Sequence, residues 1–196
     1  MKSLIVILLF VFTVGCAAQT TNEIPAAGED LIKSRTQFIE MAESYKAEIA
    51  PAGSDEKKLI ILVQTVSKET GEKIAGAKIL VYQAGADGEY RPKVKGDEKT
   101  AKISGDVTTD SQGRFMITTI LPGDYGTAAG NRHIHLYAAD AKPTSYDFFF
   151  SNFVSAGTRS WVNGSSQAFL LDLYKLDDET LIASVTLELR GLMKSD

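Results

Sequence analysis

From Leu59 to Leu189 the chain is a succession of short apolar runs cut apart by turn signals, and this pattern leaves few architectures open. Leu59 to Val66 is strongly apolar. Ser67 to Lys73 (SKETGEK) reads as a turn, and Ala77 to Gln83 (AKILVYQ) as a second strand. A charged loop over 84–100 follows. Ile103 to Thr108 and Phe115 to Ile120 flank the hairpin-like turn Asp110-Ser111-Gln112-Gly113, and Pro122-Gly123-Asp124 breaks the chain before Tyr125. A strand over about 132–139, then Tyr146 to Phe150, Gln167 to Leu176 and Leu181 to Leu189, complete the set. Short strands at this spacing predict an all-β fold, a sandwich or barrel, built as one domain over 58–192. Nothing in the pattern marks an internal repeat or a second domain.

The residues before this block carry different signals. Leu4 to Val14 has the length of a signal-peptide core and is too short to span a bilayer as a helix. It ends Thr13-Val14-Gly15-Cys16, and Cys16 is the only cysteine of the 196 residues. This resembles a bacterial lipobox, with Thr13 where Leu or Val is more usual. The expectation is a lipoprotein signal over 1–15, a lipidated Cys16, a polar tether over 16–28 and a stable membrane anchor at the cell envelope, outside the cytoplasm. Removing 1–15 takes only Lys2 from 21 basic residues against 25 acidic ones, which leaves a net charge of −5. No basic block points to nucleic acid. A lipidated Cys16 leaves no thiol for a disulfide, a thiolate metal site or a cysteine nucleophile, so the fold must stand on its hydrophobic core. Leu31, Phe38, Ala42, Tyr45 and Ile49 recur at helical spacing and predict one N-terminal helix over 29–50, stopped by Pro51 and Gly53. Such a helix can pack on the domain, pair with a second copy as a homodimer, or serve as a stalk.

The chain has two histidines, and they stand two residues apart in Arg132-His133-Ile134-His135-Leu136-Tyr137. The alternation places both imidazoles on one face of a strand, where they can share one metal ion. A polar, solvated strand face is the plain alternative. Tyr125 lies eight residues before His133, and Tyr90 ends Ala86-Asp87-Gly88-Glu89-Tyr90. Beside a ferric ion a tyrosine binds as phenolate, because the cation reverses the usual pKa logic. Hard anionic oxygen donors favour Fe(III) over Fe(II).

Several stretches together resemble the intradiol ring-cleavage dioxygenases. Gly76 to Ala84 (GAKILVYQA) is similar to that family's G-A-x-V-x-x-W-Q-A strand, with Tyr82 in place of the tryptophan, and a G-x-Y end follows at Gly88-Glu89-Tyr90. Thr109 to Phe115 and Thr118 to Tyr125 resemble its T-D-x-x-G-x-F and T-I-x-P-x-x-Y segments. His133-Ile134-His135 matches its H-I-H, and Leu173 to Leu189 resembles its closing hairpin. The similarity runs over about 58–190. It implies a β-sandwich of the intradiol type and a non-haem Fe(III) held by Tyr90, Tyr125, His133 and His135. It implies ring cleavage of a catechol with O2. In the family the tyrosine matching Tyr125 is axial and leaves the iron when the substrate chelates, which makes it the base for the second phenolic proton.

Two departures stand out. The family has an arginine three residues before its first histidine, and that position here is Gly130. Arg132 is the candidate to stabilise substrate charge in its place, although strand parity points it away from the histidines. The link from Tyr125 to His133 is also shorter than in the family. Competing with the enzyme are a non-catalytic β-sandwich binding protein of the envelope and a Cu or Zn site on His133 and His135 with no oxygenase role. Tyr82 and Tyr137 read first as packing aromatics, and Trp161 as a loop anchor. Asp147, Asn152 and Phe148 to Phe150 read as strand residues, and Asp87, Glu89, Asp97 and Glu98 as a solvated loop. The envelope address favours a catechol met outside the cytoplasm, such as a lignin- or polyphenol-derived aromatic.

Overall fold

The computed structural model describes residues 23–127 and 129–191. The leader, Cys16 and most of the expected tether lie outside them. The elements run α1 (Glu29–Ile39), β1 (Lys46–Glu48), β2 (Lys58–Ser67), β3 (Lys78–Gln83), β4 (Ile103–Thr108), β5 (Arg114–Ile120), β6 (Asn131–Ala138), β7 (Ser145–Val154), α2 (Ala156–Gly164), β8 (Ala168–Leu171), β9 (Tyr174–Lys175) and β10 (Leu181–Leu189). The strands form two five-stranded sheets, ordered β1-β5-β2-β10-β9 and β4-β3-β6-β7-β8. This is the expected β-sandwich.

The inner faces hold the core. Leu59, Ile61 and Val63 of β2, with Phe115 and Ile117 of β5, face Ile79 and Val81 of β3, Ile134 and Leu136 of β6, and Tyr146, Phe148 and Phe150 of β7. Burying a single side chain of this size contributes about 1.5–3 kcal/mol, which is how a chain without a disulfide reaches stability. The unbroken apolar run of β2 has its own explanation. Its alternate residues, Ile60 and Leu62, face outward under Phe38 and Met41, with Met116 and Ile182 in the same cluster.

The helix predicted over 29–50 ends at Ile39. Ala47 and Ile49 satisfy a period of two as well as they fit a helix, and both are buried in the main core. Parallel pairing of β1 with β5, Ala47 opposite Ile117, gives this stretch a ladder that a helix could not make. Of the three roles open to the helix, α1 takes the first and packs on its own domain through Phe38. A second helix, α2, occupies the segment around Trp161 that reads as loop; its N-terminus is capped by Ser155 Oγ, which accepts from the Thr158 N–H. None of the described helices is long and apolar enough to cross a membrane.

The turn before β5 follows directly from its residues. Asp110 Oδ1 accepts the N–H groups of Gln112 and Arg114 at 2.8 and 2.7 Å. Gly113 sits at φ +71°, and a Cβ there would lie 2.7 Å from the Thr65 carbonyl oxygen, so only glycine closes the hairpin.

Candidate active site

The outer face of the second sheet carries the polar cluster. Along β6, His133 and His135 point outward while Ile134 and Leu136 point into the core. Cross-strand pairing supplies their neighbours. His135 stands opposite Tyr82 on one side and Asp147 on the other, and His133 stands opposite Phe149. The Tyr82 ring stacks on His135 at 4.7 Å, and Phe149 stacks on His133 at 4.9 Å. Trp161 of α2 meets Phe149 edge-on at 5.6 Å.

The loop between β3 and β4 folds back over this face. Tyr90 and Ala101 pack with Tyr82 and Ala84, against Leu80 and Tyr137. Tyr90 is only 5 % exposed. Its hydroxyl lies 2.8 Å from His135 Nε2 and 3.4 Å from His133 Nε2, and the two Nε2 atoms are 3.1 Å apart. Arg91, next in the chain, adopts φ 47° and is held by an ion pair to Asp87, which fixes the turn that aims Tyr90 inward.

The proton inventory of the cluster is informative. His133 Nδ1 faces the Asn131 carbonyl oxygen at 2.5 Å, and His135 Nδ1 faces Asp147 Oδ1 at 2.5 Å. Both partners are acceptors, so each ring carries its proton on Nδ1 and presents a bare Nε2. The Tyr90 hydroxyl has one proton and can satisfy one of them. The other is left without a proton, 3.1 Å from its neighbour, an arrangement that a shared cation stabilises. Donors bound about 2.1 Å from one ion at near right angles are themselves about 3 Å apart, which is the spacing found here. Burial, and then the neighbouring His135, push His133 below the usual histidine range, which keeps it neutral and able to ligate. Burial, and then Glu98, raise the Tyr90 phenol well above its ordinary value; a phenolate there requires an adjacent positive charge. Among the described residues no group of three or more His, Cys, Asp or Glu side chains could hold a metal ion. The Tyr90 phenol is the third polar group at this point, and a phenol is a donor type that suits Fe(III).

The sequence-derived residues are distributed unevenly. Tyr90, His133 and His135 converge. Tyr125 stands beside them, its ring 5.2 Å from that of Tyr90 at 73°, but its hydroxyl donates to Glu98 Oε1 at 3.1 Å and it is 45 % exposed. Arg132 is turned away, as strand parity predicts: its Nε is 3.7 Å from Asp124 Oδ2 and its guanidinium lies 4.5 Å over the Phe153 ring. Two contacts of this cluster escaped sequence reasoning. Asp147 orients His135, and Glu98 holds Tyr125; only the strand register and the loop path, neither visible locally in the sequence, connect these pairs. On the Tyr90 side of the cluster opens a cleft of about 450 Å³, lined by Tyr82, Tyr90, Tyr125, Glu98, Lys99 and Arg91 among others but not by the two histidines. That volume suits a small aromatic ligand. The Lys99 ammonium sits 3.6 Å over the Tyr137 ring at its edge.

Comparison with known proteins bears on the fold and the family. Residues 34–155 match a family model described as Dioxygenase. The chlorocatechol 1,2-dioxygenase of Pseudomonas putida is 32% identical over 88 residues, 45% of this chain and 34% of that protein. The chain thus spans about a third of the length of that curated relative. Among solved structures, an intradiol ring-cleavage dioxygenase from Tetranychus urticae superposes with a TM-score of 0.54 at 19% identity, over 76% of this chain and 88% of that one. The 3-chlorocatechol 1,2-dioxygenase of Rhodococcus opacus gives 0.55 at 19% identity, over 78% and 67%. The dioxygenase domain of a carbohydrate-binding fusion protein from Streptomyces sp. SirexAA-E gives 0.53 at 16% identity, over 76% and 92%. These likenesses share the sandwich described above, and with the family model matching well over half of the sequence, the chain belongs to the intradiol ring-cleavage dioxygenase family.

Proposed function

We propose that the protein is an enzyme that cleaves a catecholic ring between its two hydroxyl-bearing carbons, using non-haem Fe(III) and O2, at the cell envelope. The observation that carries this reading is the pair of bare imidazole nitrogens converging with the Tyr90 hydroxyl. His133, His135 and Tyr90 hold the ion. Asp147 and the Asn131 carbonyl keep both rings in the ligating tautomer. When bound, the ferric ion supplies Lewis acidity to the two catechol oxygens and makes the ring susceptible to O2. Tyr125, at the cleft wall, would pass its own hydroxyl proton to Glu98 Oε1, 3.1 Å away, as its oxygen takes the second phenolic proton. Phe149 and Trp161 shield the His133 side of the cluster from water. Arg132 acts through Asp124, whose carboxylate also accepts the Gly130 and Asn131 N–H groups and so shapes the loop that carries Tyr125.

Oxygen uptake by iron-loaded protein tests this with catechol, protocatechuate and hydroxyquinol, the muconate-type diacids being followed by absorbance. Uptake is expected to be slow, because no arginine faces the substrate from the position the family uses. Arg132→Ala, with iron retained, should cost far less than the roughly 10²–10³-fold that loss of a charge-stabilising donor brings. A loss of that full size would make Arg132 the substrate-facing cation instead. Iron loading without uptake of any of the three catechols would overturn the enzyme reading in favour of a binding protein on the same scaffold.

The envelope address rests on Cys16 and the apolar run before it. Cys16→Ser should move the protein from the membrane fraction to the soluble one with iron content unchanged. A variant that stays membrane-bound would mean that the lipid is not the anchor.

A further inference from the structure

Trp161 is the only tryptophan of the chain, and α2 does not use it as an anchor. The helix is seated by Val162, which is 3 % exposed and packs with Phe149 and Ala168. The Trp161 indole stays 55 % exposed, beside Phe149. Its place is nonetheless fixed, because α2 is tied down at both ends. The N-cap Ser155 donates its N–H to the Gly130 carbonyl at 2.9 Å, just before β6. Arg159 Nη2 donates to the Ser151 carbonyl at 2.6 Å. Past the last turn, Ser165 Oγ accepts the N–H groups of Gln167 and Ala168 at 3.1 and 3.2 Å. The outer face of the second sheet is thereby a trough along β6. On one bank the loop that carries Tyr90 lies over β3, and on the other α2 lies against β7 and β8. The banks differ. Tyr82 and Tyr90 are buried by packing with Ala84 and Ala101, whereas the α2 bank ends in an open aromatic surface. From His133 the rings run outward in two steps, 4.9 Å to Phe149 and 5.6 Å from Phe149 to Trp161. One ring held at the cluster cannot cover that span; two joined rings can.

We propose that Trp161 is a specificity-determining residue: its indole is the platform for a second aromatic ring, and the site prefers two-ring catechols to catechol itself. This rests on the ferric reading of the site, in which the catechol oxygens bind at the metal cluster. A half-exposed tryptophan held on a tied-down helix offers a large, rigid apolar surface that loses little freedom when it is covered. A ring laid against it gains the aromatic contact as well as the area removed from water. The selection is by reach. A carboxylate, an amine or a short alkyl group on the catechol leaves the indole uncovered and gains nothing from it, whereas an aryl substituent directed over His133 and Phe149 arrives at it.

Binding to the ferric protein in the absence of O2 tests the platform without turnover, with catechol and 4-phenylcatechol as the probes. The change in visible absorption on chelation gives the two dissociation constants. Wild-type protein should bind 4-phenylcatechol about five- to tenfold more tightly than catechol. In Trp161→Ala the ratio of the two constants should fall to near one, and in Trp161→Phe, where a ring remains, most of it should survive. The ratio cancels any change that a substitution makes at the cluster itself. The emission of the single tryptophan is the second readout, and 4-phenylcatechol should quench it far more than catechol does. A wild-type ratio near one overturns the platform alone. So does a ratio that Trp161→Ala leaves at the wild-type value, or an emission that responds equally to both probes. A wild-type protein that binds no iron, or neither catechol, overturns the ferric reading and the platform with it.

Discussion

Replacing His135 by alanine should take the iron content from close to one per chain to background, with the sandwich still folded. His135 is the hub of the cluster. It stacks on Tyr82, donates from Nδ1 to Asp147 Oδ1, and places Nε2 within 2.8 Å of the Tyr90 hydroxyl and 3.1 Å of His133 Nε2. Without it only Tyr90 and His133 converge, and two donors on an open face do not hold a ferric ion against water. The fold survives because the side chain projects from the outer face of its sheet, while Ile134 and Leu136 on either side stay in the core. Asp147→Asn should be milder. The amide oxygen can still accept the Nδ1 proton, but with less negative charge, and changes to such supporting partners typically weaken metal affinity by about 10–100-fold. Metal analysis of the purified variants reads both effects. Iron at wild-type stoichiometry in His135→Ala would remove the histidine pair from the site.

How far the sequence discloses this molecule depends on how local each signal is. β6 is legible because alternation in a single run decides both its secondary structure and its exposed face. β10 and the hairpin around Asp110 are legible for the same reason: pattern and turn chemistry lie within a few residues. The stretch from Ala42 to Ile49 is ambiguous because its apolar spacing fits either period, and the deciding factor is the open edge of β5, contributed by residues some seventy positions later. The site divides along the same line. The histidines and Tyr90 stand out as residue types in a pattern, whereas Asp147 becomes meaningful only through the register that sets it opposite His135. Glu98 looks like one more charge in a solvated loop until the loop is seen to fold over the sheet and meet Tyr125. Arg132 shows the reverse case, since strand parity alone predicts its turn away from the histidines.

Gly88→Ala should lower both stability and iron affinity, because the two loops that carry Tyr90 and Tyr125 touch backbone to backbone at this residue. Gly88 sits at φ +82°, and a Cβ there would fall 2.0 Å from the Asp124 carbonyl oxygen. The contact is reciprocal: a Cβ on Gly123 would fall 2.3 Å from the Ala86 carbonyl oxygen. The Gly85 carbonyl accepts both the Gly88 and the Gly123 N–H at 2.9 Å, which locks the two loops together. An alanine at 88 brings left-handed backbone strain and a clash with a carbonyl that cannot swing aside, together about 2–5 kcal/mol. Relief comes only by parting the loops, which draws Tyr90 away from the histidines. Gly96→Ala is the matched control. Gly96 has φ +83° and lies in the same charged loop, yet nothing stands within 4 Å of its Cβ position. It should show the backbone strain alone, about 1 kcal/mol. At roughly 2–4 °C of Tm per kcal/mol for a chain of this size, Gly88→Ala should melt several degrees below Gly96→Ala. It should also bind iron more weakly, while Gly96→Ala keeps wild-type affinity. Equal melting temperatures and equal iron binding in the two variants would mean that the loops are not coupled at this point, and that Tyr90 is positioned by its packing on Tyr82 and Ala101 alone.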